Sequence, residues 1–446
     1  MNENESQITR PGFLGVVGIA GVGVGMGIGG DMGPRVEAGE ARPVKIADKR
    51  IIVGLDIGTS KICVVVANAE AGGTMSIIGV GQAASRGVRQ GEIIDFDFAS
   101  YSITEALVNA QQMSDVMIQN VYLGVTGSFM LSFNNRGLVL IPEGQEKITK
   151  TDYDNVRADA RLVSIFPENM FLHSIPKHYF LDGRQTVRNP VGMKARQIEA
   201  DFHFVHGIGS RIKIPVRCVK GIRLDVEDVV FNPLASAATV LDADERTRGV
   251  LVVDMGGGTT DYALYVDEAL EGCGCLDFGG MDLSYGIARA LQIPPFCAER
   301  LKIQEGNVEQ RKSPSGETIT LPAEGEFPGK EIERDTLNSI IRSSLRDMFE
   351  RLKQRIGPTW LRPDVLASGI QLTGGCSLLK GMDELAEEVF GIPAYRARTK
   401  GIFGPASVIE DPQYACAIGL VKWAHDRSSG QSPTSAGGSN KPRSDV

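Results

Sequence analysis

Two apolar strands that each run into an aspartate-glycine turn stand 198 residues apart, from Asp56 to Asp254, and are near copies of one another. The first reads IIVGLDIGTSK at 51–61 and the second VLVVDMGGGTTD at 250–261. Glycine has no Cβ, so it lets backbone N–H groups crowd around an anion and permits positive φ. We therefore expect Gly58 and Gly256 to Gly258 to adopt positive φ and close on a polyphosphate. The repeat indicates a duplicated nucleotide-binding unit.

The polar residues of both turns suit a nucleotide. Asp56 and Asp254 would repel phosphate directly, so we expect them to hold a hydrated Mg²⁺ against the phosphate oxygens. Lys61 could neutralise phosphate charge as a point cation. Hydroxyl donors follow each aspartate: Thr59, Ser60, Thr259 and Thr260.

A tight β-hairpin is the alternative interpretation of either turn alone, since aspartate and glycine between apolar runs often mark a β-turn. Two copies at domain-scale separation favour the nucleotide. The sequence contains no G-x-x-x-x-G-K-[ST], and no G-x-G-x-x-G follows either strand and opens a helix. P-loop enzymes and dinucleotide-binding dehydrogenases are therefore disfavoured.

Composition bounds the function further. The 446 residues are 42% hydrophobic and 23% charged, as in ordinary globular proteins, and long enough for two or three domains. A net charge of −8 argues against a nucleic-acid partner, because no basic excess is available to displace counterions. Seven cysteines without a C-x-x-C pair indicate neither a disulfide framework nor a zinc site. We expect Cys273 and Cys275 to be buried thiols without chemistry.

Periodicity and turn signals predict an α/β chain with an inserted unit. Within the insertion, a helix is expected to open at Thr151-Asp152, and a long helix is expected much later, from Glu331 to Ile356. The predicted organisation is a flexible glycine-rich leader (1–50), domain 1 in three pieces (51–133, 211–247 and 395–426), the insertion (134–210), domain 2 (248–394, with a smaller subdomain at 289–356) and a disordered tail (427–446).

Further stretches complete a recognisable pattern: SRGVRQG at 85–91, NPVGM at 189–193, PLAS at 233–236 and LTGG at 372–375. With the two turns, they make the chain similar to the actin, sugar kinase and heat-shock chaperone ATPase superfamily. More narrowly, it resembles the FtsA family of bacterial cell-division proteins over about 51 to 425. The resemblance implies a two-lobed actin-like ATPase fold with duplicated mixed-sheet domains and a family-specific inserted subdomain.

The resemblance also implies ligands and partners. ATP and Mg²⁺ would lie between the lobes, with both aspartates contacting the metal through water. Such proteins form actin-like filaments, bind the C-terminal peptide of the ring protein FtsZ through a region here at 289–356, and join other division proteins on the inner face of the membrane at the septum. By motif position, the nucleotide-binding residues would be Asp56, Gly58, Thr59, Ser60, Lys61, Asp254, Gly256, Gly257, Gly258, Thr259, Gly280, Asp282, Glu299, Lys302, Gly374, Gly375 and Ser377.

Two departures from the family pattern carry expectations. Residues 427–446 hold no basic amphipathic helix of the kind that lies in a membrane surface, so we expect attachment through the uncharged segment 11–30 or through a partner. That segment, with nine glycines, is either a flexible leader or a membrane-inserting stretch. Asn232 stands where related ATPases often carry a glutamate; an amide can position water but cannot accept its proton, so at most slow ATP hydrolysis is expected.

Two other functions share these turns. A pilus-assembly ATP-binding protein such as PilM resembles FtsA in fold and insertion but binds a peptide of a pilus membrane protein. A sugar or metabolite kinase would need a carboxylate in the cleft to accept the substrate hydroxyl proton. Asp201 and Asp225 are available for that role, although a solvated position is expected for each.

Overall fold

The structure is a computed structural model that describes residues 50–70, 73–187, 189–309 and 317–428. The glycine-rich leader and all of the predicted tail beyond Ser428 lie outside these residues, so the structure does not bear on those two predictions. Within the described part, no helix has both the length and the apolar character that crossing a bilayer would need.

The described strands, in chain order, are β1 (Arg50–Ile57), β2 (Lys61–Ala69), β3 (Met75–Ala84), β4 (Val88–Arg89), β5 (Glu92–Ile93), β6 (Asn120–Val125), β7 (Met130–Leu140), β8 (Asn169–Leu181), β9 (Gln185–Val187), β10 (Gln197–Ile208), β11 (Asp225–Phe231), β12 (Val250–Met255), β13 (Thr260–Val266), β14 (Ala269–Leu276), β15 (Thr318–Leu321), β16 (Lys330–Glu333), β17 (Ile370–Thr373) and β18 (Ala394–Arg396). The described helices are α1 (Phe96–Ser114), α2 (Lys150–Ala160), α3 (Gly209–Gly221), α4 (Asn232–Val240), α5 (Ala243–Arg248), α6 (Gly280–Leu291), α7 (Pro295–Glu305), α8 (Arg334–Ile356), α9 (Met382–Phe390), α10 (Ala406–Ile409) and α11 (Ala415–Ser428). Short 3₁₀ turns occupy Gly375–Leu378 and Pro412–Tyr414.

Two five-stranded sheets repeat one topology. The first has the order β3-β2-β1-β6-β11 and the second β14-β13-β12-β17-β18. In each, three sequential strands form an antiparallel meander, a fourth strand pairs in parallel with the first of them, and a fifth pairs in parallel with the fourth. The predicted α/β fold with duplicated mixed sheets is therefore confirmed.

Strand β2 shows how the sequence specifies a sheet covered on both faces. Its run KICVVVANA is almost continuously apolar, as expected for a strand buried on both sides. Ile62 and Val64 belong to the core that contains α1, whereas Cys63 and Val65 belong to a separate core formed with one face of α11, which includes Ile418. The alternation of side chains along a strand thus builds two helical layers around the first sheet.

Helix α4 carries the chain from the first sheet toward the second. It follows β11 directly, Pro233 lies in its first turn, and all nine of its residues are buried. It packs along α11, where Thr239 Oγ1 donates a hydrogen bond to the carbonyl oxygen of Ala415 at 2.7 Å. A Cβ at Gly419 of α11 would lie 1.8 Å from the carbonyl oxygen of Ala235, so only glycine allows the two helices to come this close.

The inserted unit forms an antiparallel sheet, β7-β10-β8-β9, with α2 packed against it. The predicted opening of α2 at Thr151 was slightly wrong. Thr149 is the N-cap, and its hydroxyl and the Asp152 carboxylate form a reciprocal capping box.

The predicted start of the long helix at Glu331 was also wrong, because α8 begins at Arg334. The preceding residues, Lys330–Glu333, pair with β15 instead, with Ile332 opposite Ile319. Both isoleucines are buried while their neighbours are exposed, and this period of two fits a strand better than a helix.

The inserted sheet also contacts the edge strand β14 of the second five-stranded sheet. Asn134 Nδ2 donates to the carbonyl oxygen of Glu271 at 3.0 Å, and Ser132 Oγ donates to that of Cys273 at 2.7 Å. A largely buried ion pair joins Lys177 and Glu271 at 2.5 Å. The insertion is therefore fixed to both halves of the molecule.

Cys273 and Cys275 are both buried in β14, as predicted. Burial raises the pKa of the Cys273 thiol to about 12, so that thiol is protonated at neutral pH and is a poor nucleophile.

Candidate functional site

The two aspartate-glycine turns have the same local geometry. In the β1–β2 turn, the backbone N–H of Gly58 donates to the carbonyl oxygen of Lys61 at 3.1 Å, and in the β12–β13 turn Gly256 donates to Thr259 at 2.9 Å. The expected positive φ was wrong: Gly58 and Gly256 to Gly258 are not among the glycines with positive φ. These glycines are needed because neighbouring atoms approach closely.

That close approach joins the two turns to each other. A Cβ at Gly258 would lie 2.4 Å from Thr59 Oγ1, and a Cβ at Gly257 would lie 2.8 Å from Ser60 Oγ. Thr59 Oγ1 is itself held in place by the backbone N–H of Gly91, which donates to it at 2.9 Å. Residues on opposite halves of the chain are thus in direct contact at one point.

A cavity of about 460 Å³ opens beside this contact. It receives Ser60 and Lys61 from the first turn and Gly256 and Gly257 from the second. The predicted residues Gly280, Glu299, Lys302 and Gly375 line its wall as well. Its size lies within the range of about 300–1,000 Å³ that is usual for small-molecule sites.

A buried ammonium group, that of Lys302, lines this cavity. Lys302 Nζ donates to the carbonyl oxygen of Gly280 at 2.7 Å and to Glu299 Oε2 at 2.8 Å. Glu299 also accepts a short hydrogen bond from the hydroxyl of Ser284. This network fixes the Lys302 ammonium in the cavity wall. The Lys61 ammonium is 4.3 Å from the centre of the Tyr414 ring and 3.5 Å from Gln413 Oε1.

Asp56 and Asp254 lie side by side beneath the turns, and α4 holds both. Asn232 Nδ2 donates to Asp56 Oδ1 at 3.2 Å, and Ser236 Oγ donates to Asp254 Oδ2 at 2.5 Å. Burial raises the pKa of Asp56, and it raises the pKa of Asp254 to about 6, with the negative charge of Asp56 acting in the same direction. Two neighbouring half-buried carboxylates that form no ion pair within the described residues are a donor set that fits a divalent ion.

The remaining predicted residues have structural contacts. Asp282 accepts the backbone N–H of Gly279 at 2.8 Å and caps α6. Ser377 is buried and donates to the carbonyl oxygen of Gly374 at 2.7 Å. Gly374 has φ of 79°, and a Cβ there would lie 2.3 Å from Asp254 Oδ1, so this third glycine turn packs directly on the second aspartate.

Asn232 was expected to position water. That role stays a prediction: the amide nitrogen donates to Asp56, while the buried Oδ1 has no hydrogen-bond partner among the described residues. That oxygen would lie 2.6 Å from a Cβ at Gly124, so it points toward β6. In this arrangement the side chain orients the Asp56 carboxylate.

Sequence reasoning missed Ser236 and Asp261. Ser236 stands four residues after Asn232, the spacing that places two side chains on one helix face, and this signal could have found it. Asp261 closes the second turn, is buried, and accepts a hydrogen bond from Thr126 Oγ1 at 2.6 Å. Burial, reinforced by the charge of Asp254, raises the pKa of Asp261 to about 8, so at neutral pH it is a neutral acid.

The duplicated sheets and the cleft between their turns define the actin-like ATPase fold. Among solved structures of this fold, the PilM–PilN type IV pilus biogenesis complex matches with a TM-score of 0.59 and 16% identity, covering 84% of this chain and 98% of that one. MreB5 of Spiroplasma citri bound to ADP matches with a TM-score of 0.51 and 14% identity, covering 85% and 98%. At these identities, the likeness establishes the fold alone.

Sequence comparison is more specific. The family model for the cell division protein FtsA matches residues 251–419, and the model for the SHS2 domain inserted in FtsA matches residues 127–206. FtsA of Pseudomonas aeruginosa is 32% identical over 391 residues, which cover 88% of this chain and 93% of that protein. FtsA of Borreliella burgdorferi is 35% identical over 380 residues, covering 85% and 92%. This chain belongs to the FtsA family of cell division proteins.

Proposed function

We propose that this chain binds ATP with Mg²⁺ between its two aspartate-glycine turns, assembles into actin-like filaments and links an FtsZ ring to the cytoplasmic membrane at the division septum. Membership of the FtsA family gives a role in cell division within an actin-like family. The nucleotide, the filament and the FtsZ link go beyond that membership.

The observation that carries the nucleotide proposal is the contact of the two turns beside a cavity of ligand size. Both turns are rich in backbone N–H groups that a phosphate can reach, and Lys61 and Lys302 supply positive charge on the cavity wall. Lys302 and Glu299, on α7, would contact the ribose and adenine, and Gly375 the adenosine side. In this proposed arrangement, the phosphates, the ribose and the adenine of ATP would each have a protein group beside them.

Asp56 and Asp254 would hold Mg²⁺ through its water ligands. When bound, the ion supplies positive charge at the phosphates, and it would stabilise two carboxylates whose ionised forms are otherwise disfavoured by burial. Asn232 and Ser236 would fix the orientation of these carboxylates through their hydrogen bonds.

Hydrolysis is proposed to be slow. A general base must reach the proton of the attacking water, and position 232 carries an amide that donates to Asp56. Single-turnover measurement with radiolabelled ATP tests this point. Turnover on the order of ten events per second, an ordinary enzyme rate, would contradict it.

The smaller subdomain at 289–356 is proposed to bind the FtsZ C-terminal peptide. It contains α7, the β15–β16 hairpin and α8, and it exposes the aromatic ring of Phe296 at its surface. An exposed aromatic side chain on a rigid helix is a common anchor for a peptide.

Fluorescence anisotropy with a labelled FtsZ C-terminal peptide tests the partner, with a scrambled peptide as the control. Phe296→Ser should weaken the binding while leaving ATP affinity unchanged. Absence of saturable binding at high micromolar peptide, combined with binding to an N-terminal peptide of a pilus membrane protein, would favour the PilM-like function instead.

A further inference from the structure

A second cavity, of about 450 Å³, lies at the other end of α4 and shares no lining residue with the nucleotide cleft. Ala238 and Leu241 line it at the end of α4, Arg246 lines it from α5, and Lys422 and Asp426 line it from α11. Its volume is again that of a small-molecule site. Nothing in the proposed function uses it.

Arg246 is the unusual member of this wall. Its side chain is 9% exposed, yet none of the ion pairs within the described residues involves it, and its Nε–H has no hydrogen-bond partner. Its contacts with the described residues are weak: Nη2 lies 3.5 Å from the carbonyl oxygen of Ala237, and the guanidinium is 5.2 Å from the centre of the Tyr265 ring. A guanidinium stays charged in proteins, so burying one is costly unless carboxylates compensate its charge. The Asp426 carboxylate on the same wall acts on Arg246 only through its charge, without an ion pair among the described residues.

A second cation lies on the same wall. Lys422 Nζ donates to the carbonyl oxygen of Lys400 at 2.7 Å. Burial lowers the pKa of Lys422 to about 8, and the charges of Arg246 and Lys400 act in the same direction against the opposing carboxylate of Asp426. An anion placed between Arg246 and Lys422 would stabilise both cations. A charge-assisted interaction of this kind is stronger than one between neutral groups.

The acidic residues of the wall narrow the class of ligand. Asp426 lies four residues after Lys422 on α11, and Glu268 accepts a hydrogen bond from Thr247 at 3.4 Å. A ligand that fills the cavity therefore meets carboxylates beside the two cations. A bare anion would interact favourably only with the cations of the wall. An anion that also carries hydroxyl or amino groups could in addition donate hydrogen bonds to the carboxylates.

We infer that this cavity binds a small metabolite that bears a carboxylate or phosphate group next to hydroxyl or amino donors, with Arg246 and Lys422 holding the anionic group. The occupied cavity would then bias the nucleotide cleft through α4. At its first turn this helix holds Asp56 through Asn232, at its second it holds Asp254 through Ser236, and its last residues line the cavity.

The coupling is expected because α4 is short and tightly packed. Nine residues span only about 13 Å, and the close approach of Gly419 to Ala235 leaves α4 no room to move independently of α11. A ligand that shifts the end of α4 would therefore shift both aspartates. By linkage, nucleotide and metabolite must change each other's affinity by the same factor. This coupling rests on the proposed nucleotide function, whereas the binding of the metabolite does not.

The test titrates the full-length protein with glycerol 3-phosphate and, separately, with glycerate, by calorimetry at constant ionic strength with chloride as the reference anion. Arg246→Met should weaken binding by about ten-fold to a hundred-fold, the effect of losing one or two charge-assisted hydrogen bonds. Arg248→Met is the matched control, since Arg248 lies on the same helix but is exposed and lies outside the cavity wall. The probe that binds more tightly identifies the anion as phosphate or carboxylate.

A second measurement uses the wild-type protein, so its outcome does not depend on whether a variant folds. Acylation of Lys422 by a limiting amine reagent, followed by mass spectrometry, should slow in the presence of the bound probe, while acylation of the exposed Lys194 should not change. Equal affinity of the wild type and Arg246→Met, or unchanged acylation of Lys422 at saturating probe, would overturn the inference. Protection of Lys422 without any change in ATP affinity would refute the coupling through α4.

Discussion

The contact between Gly258 and Thr59 makes the sharpest prediction. In Gly258→Ala the new methyl carbon would lie 2.4 Å from Thr59 Oγ1, about 1 Å inside an ordinary contact. Thr59 can move away only by giving up the hydrogen bond that it accepts from Gly91, and otherwise the turns must separate. Overpacking of this kind costs about 1–3 kcal/mol. If ATP binds across the two turns in contact, that energy is lost from binding, and Kd should rise about 5-fold to 150-fold.

Displacement of a fluorescent ATP analogue measures this change, and circular dichroism during heating verifies that the variant folds. Gly272→Ala is the matched control: Gly272 lies in β14 of the same sheet, its φ is not positive, and a Cβ there meets no atom within 4 Å. The control should bind ATP as the wild type does. A folded Gly258→Ala variant with wild-type affinity would refute the idea that the apposed turns form the nucleotide site.

Three further predictions follow from the buried acids, the amide on α4 and the leader. The folded chain keeps a proton on Asp261 up to a pH of about 8, whereas the unfolded chain releases it near pH 3.8. Between these pH values the folded state therefore binds more protons than the unfolded state. The free energy of unfolding should fall as the pH rises through this range. Between pH 6.5 and 8.5, Asp261→Asn should therefore lose less stability than the wild type, as measured by urea titrations with EDTA. Asp244→Asn, at an exposed position, is the control. Equal losses in Asp261→Asn and the wild type would contradict the raised pKa of Asp261. Asn232→Glu should increase single-turnover ATP hydrolysis by about 10²-fold or more, provided that the variant still binds ATP, because a carboxylate can accept the proton of water; an unchanged rate with ATP bound would contradict this role. A chain that begins at Lys45 should sediment less with liposomes than the full chain, and equal sedimentation would exclude attachment through segment 11–30.

The duplication was predictable because its signal is local. Each copy is a strand, a turn and a second strand, and the alternation of side chains with glycine and aspartate marks all three. The corrected boundaries were less predictable. Residues 330–333 are compatible with a helix until β15 is present to pair with them, and that pairing is a tertiary contact.

Within the site, residue types were easier to predict than geometry. The expected positive φ of the turn glycines was wrong. Gly257 and Gly258 have no room for a Cβ because atoms of the other turn lie close, whereas the nearest atom to Gly58 is the Lys61 carbonyl oxygen of its own turn. The neutral state of Asp261 depends on burial and on the neighbouring charge of Asp254, and both are properties of the assembled fold. The contact of Asn134 with Glu271 joins residues 137 positions apart, and no local pattern encodes it.

The inserted sheet has a consequence for motion. It belongs by sequence to the first half of the molecule, yet Asn134, Ser132 and Lys177 bind it to strand β14 of the second. Moving one half away from the other, so that the cavity beside the turns opens, would therefore require these contacts to break or the insertion to move with the second half. A protein bound to the insertion would therefore respond to the relative position of the two halves.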